Sequence, residues 1–315
     1  MGFYQALVEA RIPFEMVHDA LLDADHLAPF RTLILPNIAA LSERQCEQLR
    51  QFVNGGGSLI ATFETSLYDE WGVRRQDFGL ASLFGAAFDG RVEGPMLNSY
   101  LNLERDPSTG QFHPLLTGLE DAARIINGVN CVRVRPTGKV HPSPLNVVPS
   151  YPDLPMEEVF ARPPKTKEPG VFIQELGQAR VVYFPWDIDR TFWEILNVDH
   201  KKLLVNATLW ATKETPPVVV EGPGILDVAV WRQANSMTVH LVNLTNPMMM
   251  KGPVREVIPV PAQTLRIHVP QGKRIDRVQL LVASKDIPFR RRNEVVDVEI
   301  PTIELHEVIA IDFRA

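Results

Sequence analysis

The sequence predicts an α/β domain with a mostly parallel, three-layer sheet, followed by an all-β sandwich. In the first two thirds, short apolar runs alternate with amphipathic helical segments, which is typical of parallel α/β units. The dipeptide Pro216-Pro217 follows a predicted helix and holds the chain extended. Beyond it, strand-like runs recur at the spacing of an antiparallel sandwich. We therefore expect one domain over residues 1–214 and a second over residues 215–315.

The first elements are a helix and two extended segments. Apolar residues in 3–11 share one helical face, and Ile12-Pro13 ends that helix. We expect a strand in the extended segment 14–19 that follows. The next apolar run, Thr32 to Pro36, is hydrophobic on both faces, as a buried parallel strand is.

A capped helix connects this strand to the next one. Ser42 and Gln45 form a capping-box pattern at its start, and the run Gly55-Gly56-Gly57 ends it. Three apolar residues fall on its inner face: Cys46, Leu49 and Val53. Residues 58–63 follow as a second buried strand, so strand, helix and strand form a right-handed parallel unit.

The later part of the α/β domain contains a long excursion, a hairpin and a helix. The excursion begins after Glu64 and is rich in aromatic and charged residues. We expect the sheet to resume as a hairpin of residues 171–174 and 179–184, followed by a helix over 199–212. Six sandwich strands are predicted: 226–231, 237–243, 264–268, 278–283, 295–300 and 306–311.

Composition and charge exclude several classes of protein. A hydrophobic fraction of 45% and a charged fraction of 22% are those of an ordinary globular protein. The net charge of −6 does not favour binding of nucleic acid or of an anionic membrane. Two cysteines are too few for a disulfide framework or a zinc knuckle, and the start shows no signal-peptide pattern. We expect a cytoplasmic location, no metal and no cofactor.

Several stretches in succession carry a family resemblance. Residues 2–19, 33–64 and 179–194 resemble the trimerisation domain of glycoside hydrolase family 42 β-galactosidases. The phrases LYDEWG, at 67–72, and YPDLPMEEVF, at 151–160, are similar to putative glycoside hydrolases that place such a domain behind a TIM barrel. The resemblance covers nearly the whole chain, and its strength lies in the order of several motifs.

The resemblance implies a flavodoxin-like or glutamine-amidotransferase-like sheet that shapes a subunit interface and borders the active site of an adjacent barrel. The partner would be further copies of the chain, as in a trimer, or a separate catalytic barrel, with carbohydrate as a candidate ligand. Family members place a strand before the first helix, and a barrel needs roughly 250 residues that are not found here. We therefore expect a fragment of a longer enzyme or a barrel supplied by another chain.

Three carboxylates are candidates for catalysis. Asp187 and Asp189 follow one predicted strand and Glu64 ends another, so they are expected at the carboxyl edge of the sheet, where open α/β folds bind ligands. Glycosidic cleavage uses such paired carboxylates. The alternatives are contacts to a ligand or a neighbouring subunit, and structural salt bridges with Arg74, Arg75 and Arg190.

Aromatic and charged residues nearby are candidates for ligand or interface contacts. They are Tyr68, Asp69, Glu70, Trp71, Arg74, Trp186, Arg190 and Trp193. Their rings would stack on sugars or belong to the core or an interface. The histidines show no metal-ligand spacing, and Cys46 lies inside a helix instead of on the sharp turn that an amidotransferase nucleophile needs.

These observations support three functional hypotheses. The first is an accessory and oligomerisation region of a glycoside-hydrolase-like protein, without a complete active site of its own. The second is a self-contained hydrolase that uses carboxylates at the sheet edge. The third is a carbohydrate-binding module, with the sandwich or the Trp71 and Trp186 loops as the sugar surface.

Overall fold

A computed structural model describes residues 1–138, 142–150, 166–245 and 256–314. The described chain divides into two compact units. The α/β unit comprises Met1–Phe3 and Val17–Glu214, and the sandwich unit comprises Tyr4–Met16 and Thr215–Ala315. The phrase at 151–160 that contributes to the resemblance lies outside the described residues.

The helices and the strands of the α/β unit follow the predicted alternation. The helices are α1 (Gly2–Glu9), α2 (Ala24–Leu27), α3 (Glu43–Asn54), α4 (Ala81–Phe84), α5 (Ile188–Ile195) and α6 (Val198–Thr212). The strands are β1 (Thr32–Leu35), β2 (Ser58–Thr62), β3 (Ala86–Glu93), β4 (Tyr100–Leu103), β5 (Ile125–Ile126), β6 (Cys131–Pro136), β7 (Leu145–Val148), β8 (Phe172–Leu176) and β9 (Ala179–Phe184). No helix in the described ranges is both long and apolar enough to cross a membrane.

The main sheet has the order β1-β2-β9-β8. β1, β2 and β9 run parallel, and β8 pairs antiparallel with β9 through the predicted hairpin. All residues of β2 are buried, which explains its continuous apolar sequence. The parallel α/β prediction is therefore confirmed. The strand predicted at residues 14–19 is wrong, because this segment forms no strand and β1 lies at the sheet edge.

The capping box positions α3. Ser42 Oγ accepts from the Gln45 backbone N–H at 3.2 Å, and Gln45 Oε1 accepts from the Ser42 N–H at 2.9 Å. These bonds satisfy two amides at the helix end. Cys46, Leu49 and Val53 are buried as predicted.

Two smaller sheets lie between β2 and β8 in the chain, and one helix after β9 was not predicted. β3 pairs with β6, and β4 pairs with both β5 and β7, all antiparallel. Helix α5 begins four residues after β9. The sequence predicts only the helix over 199–212, so Asp189, Arg190 and Trp193 were not expected on a helix.

The sandwich unit has two antiparallel sheets. Its strands are β10 (Val218–Glu221), β11 (Leu226–Arg232), β12 (Ser236–Asn243), β13 (Val260–His268), β14 (Arg274–Leu280), β15 (Lys285–Asp286), β16 (Phe289–Arg292), β17 (Val295–Ile303) and β18 (His306–Arg314). The sheet orders are β10-β13-β17-β16 and β11-β12-β18-β14-β15. Alternate residues of β12, namely Met237, Val239 and Leu241, are fully buried in the apolar core. The predicted sandwich is confirmed.

Arg11 joins the segment Tyr4–Met16 to the sandwich unit. Its guanidinium donates to the carbonyl oxygens of Val220 at 3.1 Å, Gly222 at 2.6 Å, Pro223 at 3.0 Å and Gly224 at 2.8 Å. A guanidinium offers five N–H donors in a fixed plane, which suits a turn with several free carbonyls. The Arg11 side chain thus contacts four carbonyl groups at the β10–β11 turn, and Gln263 also donates to the Pro223 carbonyl at 3.0 Å.

Candidate functional site

Two segments at the carboxyl edge of the parallel strands carry the candidate residues. The first, called here the β9 segment, comprises residues 185–191 and leads into α5. The second, called here the β2 loop, comprises residues 64–79 and follows the end of β2 at Thr62. Ligand crevices of open α/β sheets lie at this edge.

Asp187 in the β9 segment is buried, with 4% of its surface exposed. Its carboxylate accepts from the Asn130 backbone N–H at 2.9 Å, from Asn130 Nδ2 at 2.7 Å and from the Thr191 hydroxyl at 3.2 Å. A Cβ at Gly128 would lie 2.4 Å from Asp187 Oδ1, so only glycine fits there. Asp187 therefore makes structural hydrogen bonds, and a catalytic role for it stays a prediction.

The other charged residues near the β9 segment are also engaged. Asp189 Oδ1 accepts from the Phe3 backbone N–H at 2.6 Å and so caps the first turn of α1. Arg190 is mostly exposed and donates through Nε to Glu194 Oε1 at 2.8 Å, one turn along α5. Such exposed pairs contribute little to stability because solvent screens them. Asp189 therefore makes a structural contact and Arg190 a surface contact, while a catalytic role of Asp189 and a ligand or interface role of Arg190 stay predictions.

Trp186 belongs to the core. Only 1% of it is exposed, and its Nε1 donates to the Gly170 carbonyl at 2.9 Å. Its ring meets those of Phe184 and His200 edge to face, at centroid distances of 6.0 and 5.4 Å. A sugar cannot stack on it, which corrects the predicted ligand contact. Trp193 is half-buried on α5.

His200 is buried beside Trp186. Its Nε2 donates to the Ile126 carbonyl oxygen at 2.7 Å, and burial lowers its pKa below the ordinary value of 6.5. The ring is therefore neutral at pH 7. Within the described ranges, no three His, Cys, Asp or Glu side chains come together in a way that suits a metal ion.

The cysteines lack the environment of a nucleophile. Cys46 and Cys131 are both free and buried. Burial raises the pKa of the Cys46 thiol, and it raises the pKa of Cys131 to about 12. The thiolate, which is the reactive form, is thus disfavoured at both positions.

The β2 loop begins with a polar pair. The Tyr68 hydroxyl donates to Glu64 Oε1 at 3.1 Å, and the Glu64 backbone N–H donates to Asn37 Oδ1 at 3.2 Å. Burial and the nearby charge of Glu64 raise the pKa of Tyr68. Asn37 follows β1, so these bonds connect the ends of two neighbouring strands.

Asp69 orders the tip of this loop, called here the Trp71 tip (residues 69–73). Its Oδ1 accepts from the backbone N–H groups of Trp71 at 3.0 Å and Val73 at 2.8 Å. Gly72 has φ +77°, a conformation that favours glycine. The tip is therefore fixed by local hydrogen bonds while Trp71 remains 84% exposed.

Charged residues flank the tip. Glu70 and Arg74 are exposed, and the Arg74 guanidinium lies 5.8 Å from the centroid of the Phe88 ring. Arg75 donates to Glu43 Oε2 at 3.2 Å and to the Leu41 carbonyl at 2.8 Å, which fastens the loop to the start of α3. A rigid, exposed indole with a polar surround is the result.

The structure therefore brings Glu64, Tyr68, Asp69, Glu70, Trp71 and Arg74 together in one loop, and it buries Trp186 and Asp187 elsewhere. Asn130 and Thr191, which hold Asp187, were not found from the sequence. Nothing in the local pattern around Asn130 indicates a partner 57 residues away.

Comparison with known proteins gives a match to part of the chain. Residues 1–85 match the family model of the beta-galactosidase trimerisation domain. The resemblance predicted from the sequence is thereby confirmed. The matched residues contain the whole β2 loop. A search of curated proteins finds no significant match.

Solved structures share the fold at low identity. An alpha-L-fucosidase isoenzyme 2 from Paenibacillus thiaminolyticus has a TM-score of 0.73 at 18% identity and covers 100% of this chain and 45% of its own. A beta-galactosidase from Bacillus circulans sp. alkalophilus has a TM-score of 0.65 at 14% identity, and the match covers 98% of this chain and 36% of the beta-galactosidase. A beta-galactosidase from Rahnella sp. R3 has a TM-score of 0.58 at 14% identity, and the match again covers 98% of this chain and 36% of the beta-galactosidase. The chain thus spans less than half the length of each, and the likeness supports the α/β-plus-sandwich fold.

Proposed function

We propose that the chain is an accessory, oligomerisation region of a glycoside-hydrolase-like protein, and that the β2 loop forms its subunit interface in a trimer. The observation that carries the proposal is the Trp71 tip. An indole that is 84% exposed on a hydrogen-bonded turn lies inside the stretch that matches a trimerisation domain.

The physical chemistry of the tip supports an interface. A tryptophan buries roughly 150–250 Å² of surface on association, and each Å² of apolar surface contributes about 25 cal/mol. Asp69 already holds the turn in one conformation, so little backbone entropy would be lost on binding. Tryptophan is also among the residues that most often dominate binding energy.

The same proposal includes a sugar site beside the interface. Glu64, Tyr68 and Glu70 offer hydrogen-bonding groups in the same loop as the indole. The fold neighbours include beta-galactosidases and a fucosidase of which this chain spans less than half. A catalytic barrel would be supplied by the remainder of such a protein or by a separate chain.

We also propose that the boundary between the two domains lies at residue 214 and that the protein is cytoplasmic. The free, buried state of both cysteines supports a reducing compartment. The prolines after α6 support the boundary.

The test is the mass of the 315-residue chain in solution, measured by sedimentation velocity over a range of concentrations. We expect the wild type to associate as a trimer. Trp71→Ala should need a protein concentration about tenfold higher or more to reach the same degree of association, because a central tryptophan contributes about 2 kcal/mol to the free energy of binding.

Trp231→Ala is the matched control, because Trp231 is 61% exposed and lies in the sandwich unit. It should leave the mass unchanged. A monomeric wild type, or equal association of wild type and Trp71→Ala, would overturn the proposal.

A further inference from the structure

A row of planar and hydroxyl side chains lies on the outer face of the sheet β11-β12-β18. Side chains alternate along a strand, so Met237, Val239 and Leu241 of β12 point into the core while Thr238 and His240 point outward. Trp231 on β11 is directly opposite Thr238, and it is 61% exposed.

Hydrogen bonds order this row across the strands. Thr238 Oγ1 lies 3.3 Å from His240 Nε2, and His240 Nδ1 lies 3.3 Å from His306 Nε2 on β18. The two imidazoles are nearly parallel, with an interplanar angle of 20° and centroids 5.4 Å apart. These four residues, Trp231, Thr238, His240 and His306, are called here the Trp231 row.

Small residues lie beside the row, and two acidic residues, Asp227 on β11 and Asp312 on β18, lie two positions further along the same strand faces. Ala229 on β11 is the register partner of His240, and Ala310 on β18 is the register partner of Thr238. Neighbouring strands are about 4.8 Å apart, so the row extends over roughly 10 Å across three strands. A ligand lying along it would touch more than one residue of the row at a time.

We propose that the Trp231 row binds a neutral saccharide chain. The ring face of a sugar presents C–H groups, which pack against the electron-rich face of an indole. Sugar hydroxyls both donate and accept hydrogen bonds, and so do a threonine hydroxyl and a neutral imidazole. None of the four side chains of the row carries a carboxylate, ammonium or guanidinium group, so the row itself suits an uncharged ligand. This site is separate from the β2 loop and does not depend on the function proposed for that loop.

The pKa of His240 agrees with an uncharged row. Partial burial, together with the neighbouring His306, lowers the pKa of His240. The shared contact between Nδ1 of His240 and Nε2 of His306 also holds one proton between two nitrogens, because a second proton there would leave no acceptor.

The test is retardation of the 315-residue chain in native gels that contain galactan, xylan, mannan or starch. We expect at least one polysaccharide to slow the wild type. Trp231→Ala should weaken binding about tenfold or more, because it removes the stacking surface. His240→Ala should weaken it less, because it removes one hydrogen-bonding partner.

Phe289→Ala is the matched control, because Phe289 is an exposed aromatic residue on β16 in the other sheet of the sandwich, and it should be retarded like the wild type. Equal mobility of the wild type in all four gels and in plain gels would overturn the proposal. Equal retardation of Trp231→Ala and wild type would do so as well. A lower mass of Trp231→Ala in sedimentation would assign the row to a protein contact instead, whereas failure of the trimer proposal would leave the gel result unaffected.

Discussion

The β9 segment and the β2 loop follow neighbouring parallel strands of one sheet, yet their aromatic and acidic residues differ in burial and in hydrogen-bond partners. Trp186 is 1% exposed and Trp71 is 84% exposed. Asp187 accepts from side chains and backbone that are up to 57 residues away in sequence, whereas Asp69 accepts only from amides of its own turn. The same residue types therefore build the core in one segment and an outward-facing tip in the other.

The difference shows that position at a sheet edge does not by itself make a site. A buried carboxylate is stable only where its oxygens are satisfied, and Asn130 and Thr191 provide this for Asp187. The Trp71 tip has no such cover within its own unit, so its indole remains available to a partner.

The largest expected effect is that of Trp186→Ala. It would leave a large cavity and an unpaired Gly170 carbonyl, so we expect the free energy of unfolding to fall by about 3–5 kcal/mol. Urea denaturation followed by circular dichroism measures it. A loss below about 1 kcal/mol would contradict the assignment of Trp186 to the core.

Asp187→Ala should come next. It leaves the half-buried Asn130 donors and the buried Thr191 hydroxyl without an acceptor, and we expect a loss of about 2–4 kcal/mol in the same assay. The control is Asp69→Ala, which removes a carboxylate with two amide bonds in an exposed turn and should cost about 1 kcal/mol or less. Equal losses for the two variants would remove the distinction between the segments.

The free energy of unfolding should depend on pH through His200, which packs against Trp186 of the β9 segment. Because burial lowers the pKa of His200 in the folded protein, the unfolded chain binds this proton more readily. The free energy of unfolding should therefore show no loss from His200 above about pH 6.5. It should decrease as the pH falls below this value, by at most about 1.4 kcal/mol per pH unit.

Denaturation at pH 7.5 and 5.5 measures this decrease. His200→Gln should reduce the difference between the two pH values, and His18→Gln, at an exposed site, should preserve it. An unchanged pH difference in His200→Gln would show that other groups cause the decrease.

The smallest effect on stability should be that of Trp71→Ala. The indole makes little contact within its own unit, so we expect a change within about 0.5 kcal/mol, measured on the monomer at low concentration. A loss comparable with that of Trp186→Ala would mean that the Trp71 tip is part of the core, and its exposure could then not be used to support an interface.

Local patterns were sufficient to predict much of the fold. The Ser42–Gln45 capping box predicted the start of α3, and apolar runs predicted β1, β2 and the β8–β9 hairpin. The segment 14–19 was wrongly predicted as a strand, because an extended apolar sequence does not reveal whether a neighbouring strand is there to pair with it. Helix α5 was not predicted, because only one helix, over 199–212, was expected after the hairpin.

The candidate site was predicted only in part. The β2 loop was identified as a long excursion with aromatic and charged residues, and it proved to be one ordered structure. The catalytic grouping of Glu64, Asp187 and Asp189 could not be judged from spacing, because the partners of the two aspartates are Asn130, Thr191 and the amide of Phe3.

The amino-acid sequence by itself determined the alternation of strands and helices, the capping of α3 and the period of two residues at which side chains of the sandwich strands alternate between faces. These features depend on residues that are close together in the chain, where helix and strand geometry relate sequence directly to a face. Only the tertiary structure decided that Trp186 is core and Trp71 is surface, and that Trp231, His240 and His306 form one row. Those outcomes depend on contacts between residues that are distant in sequence, which no local pattern encodes.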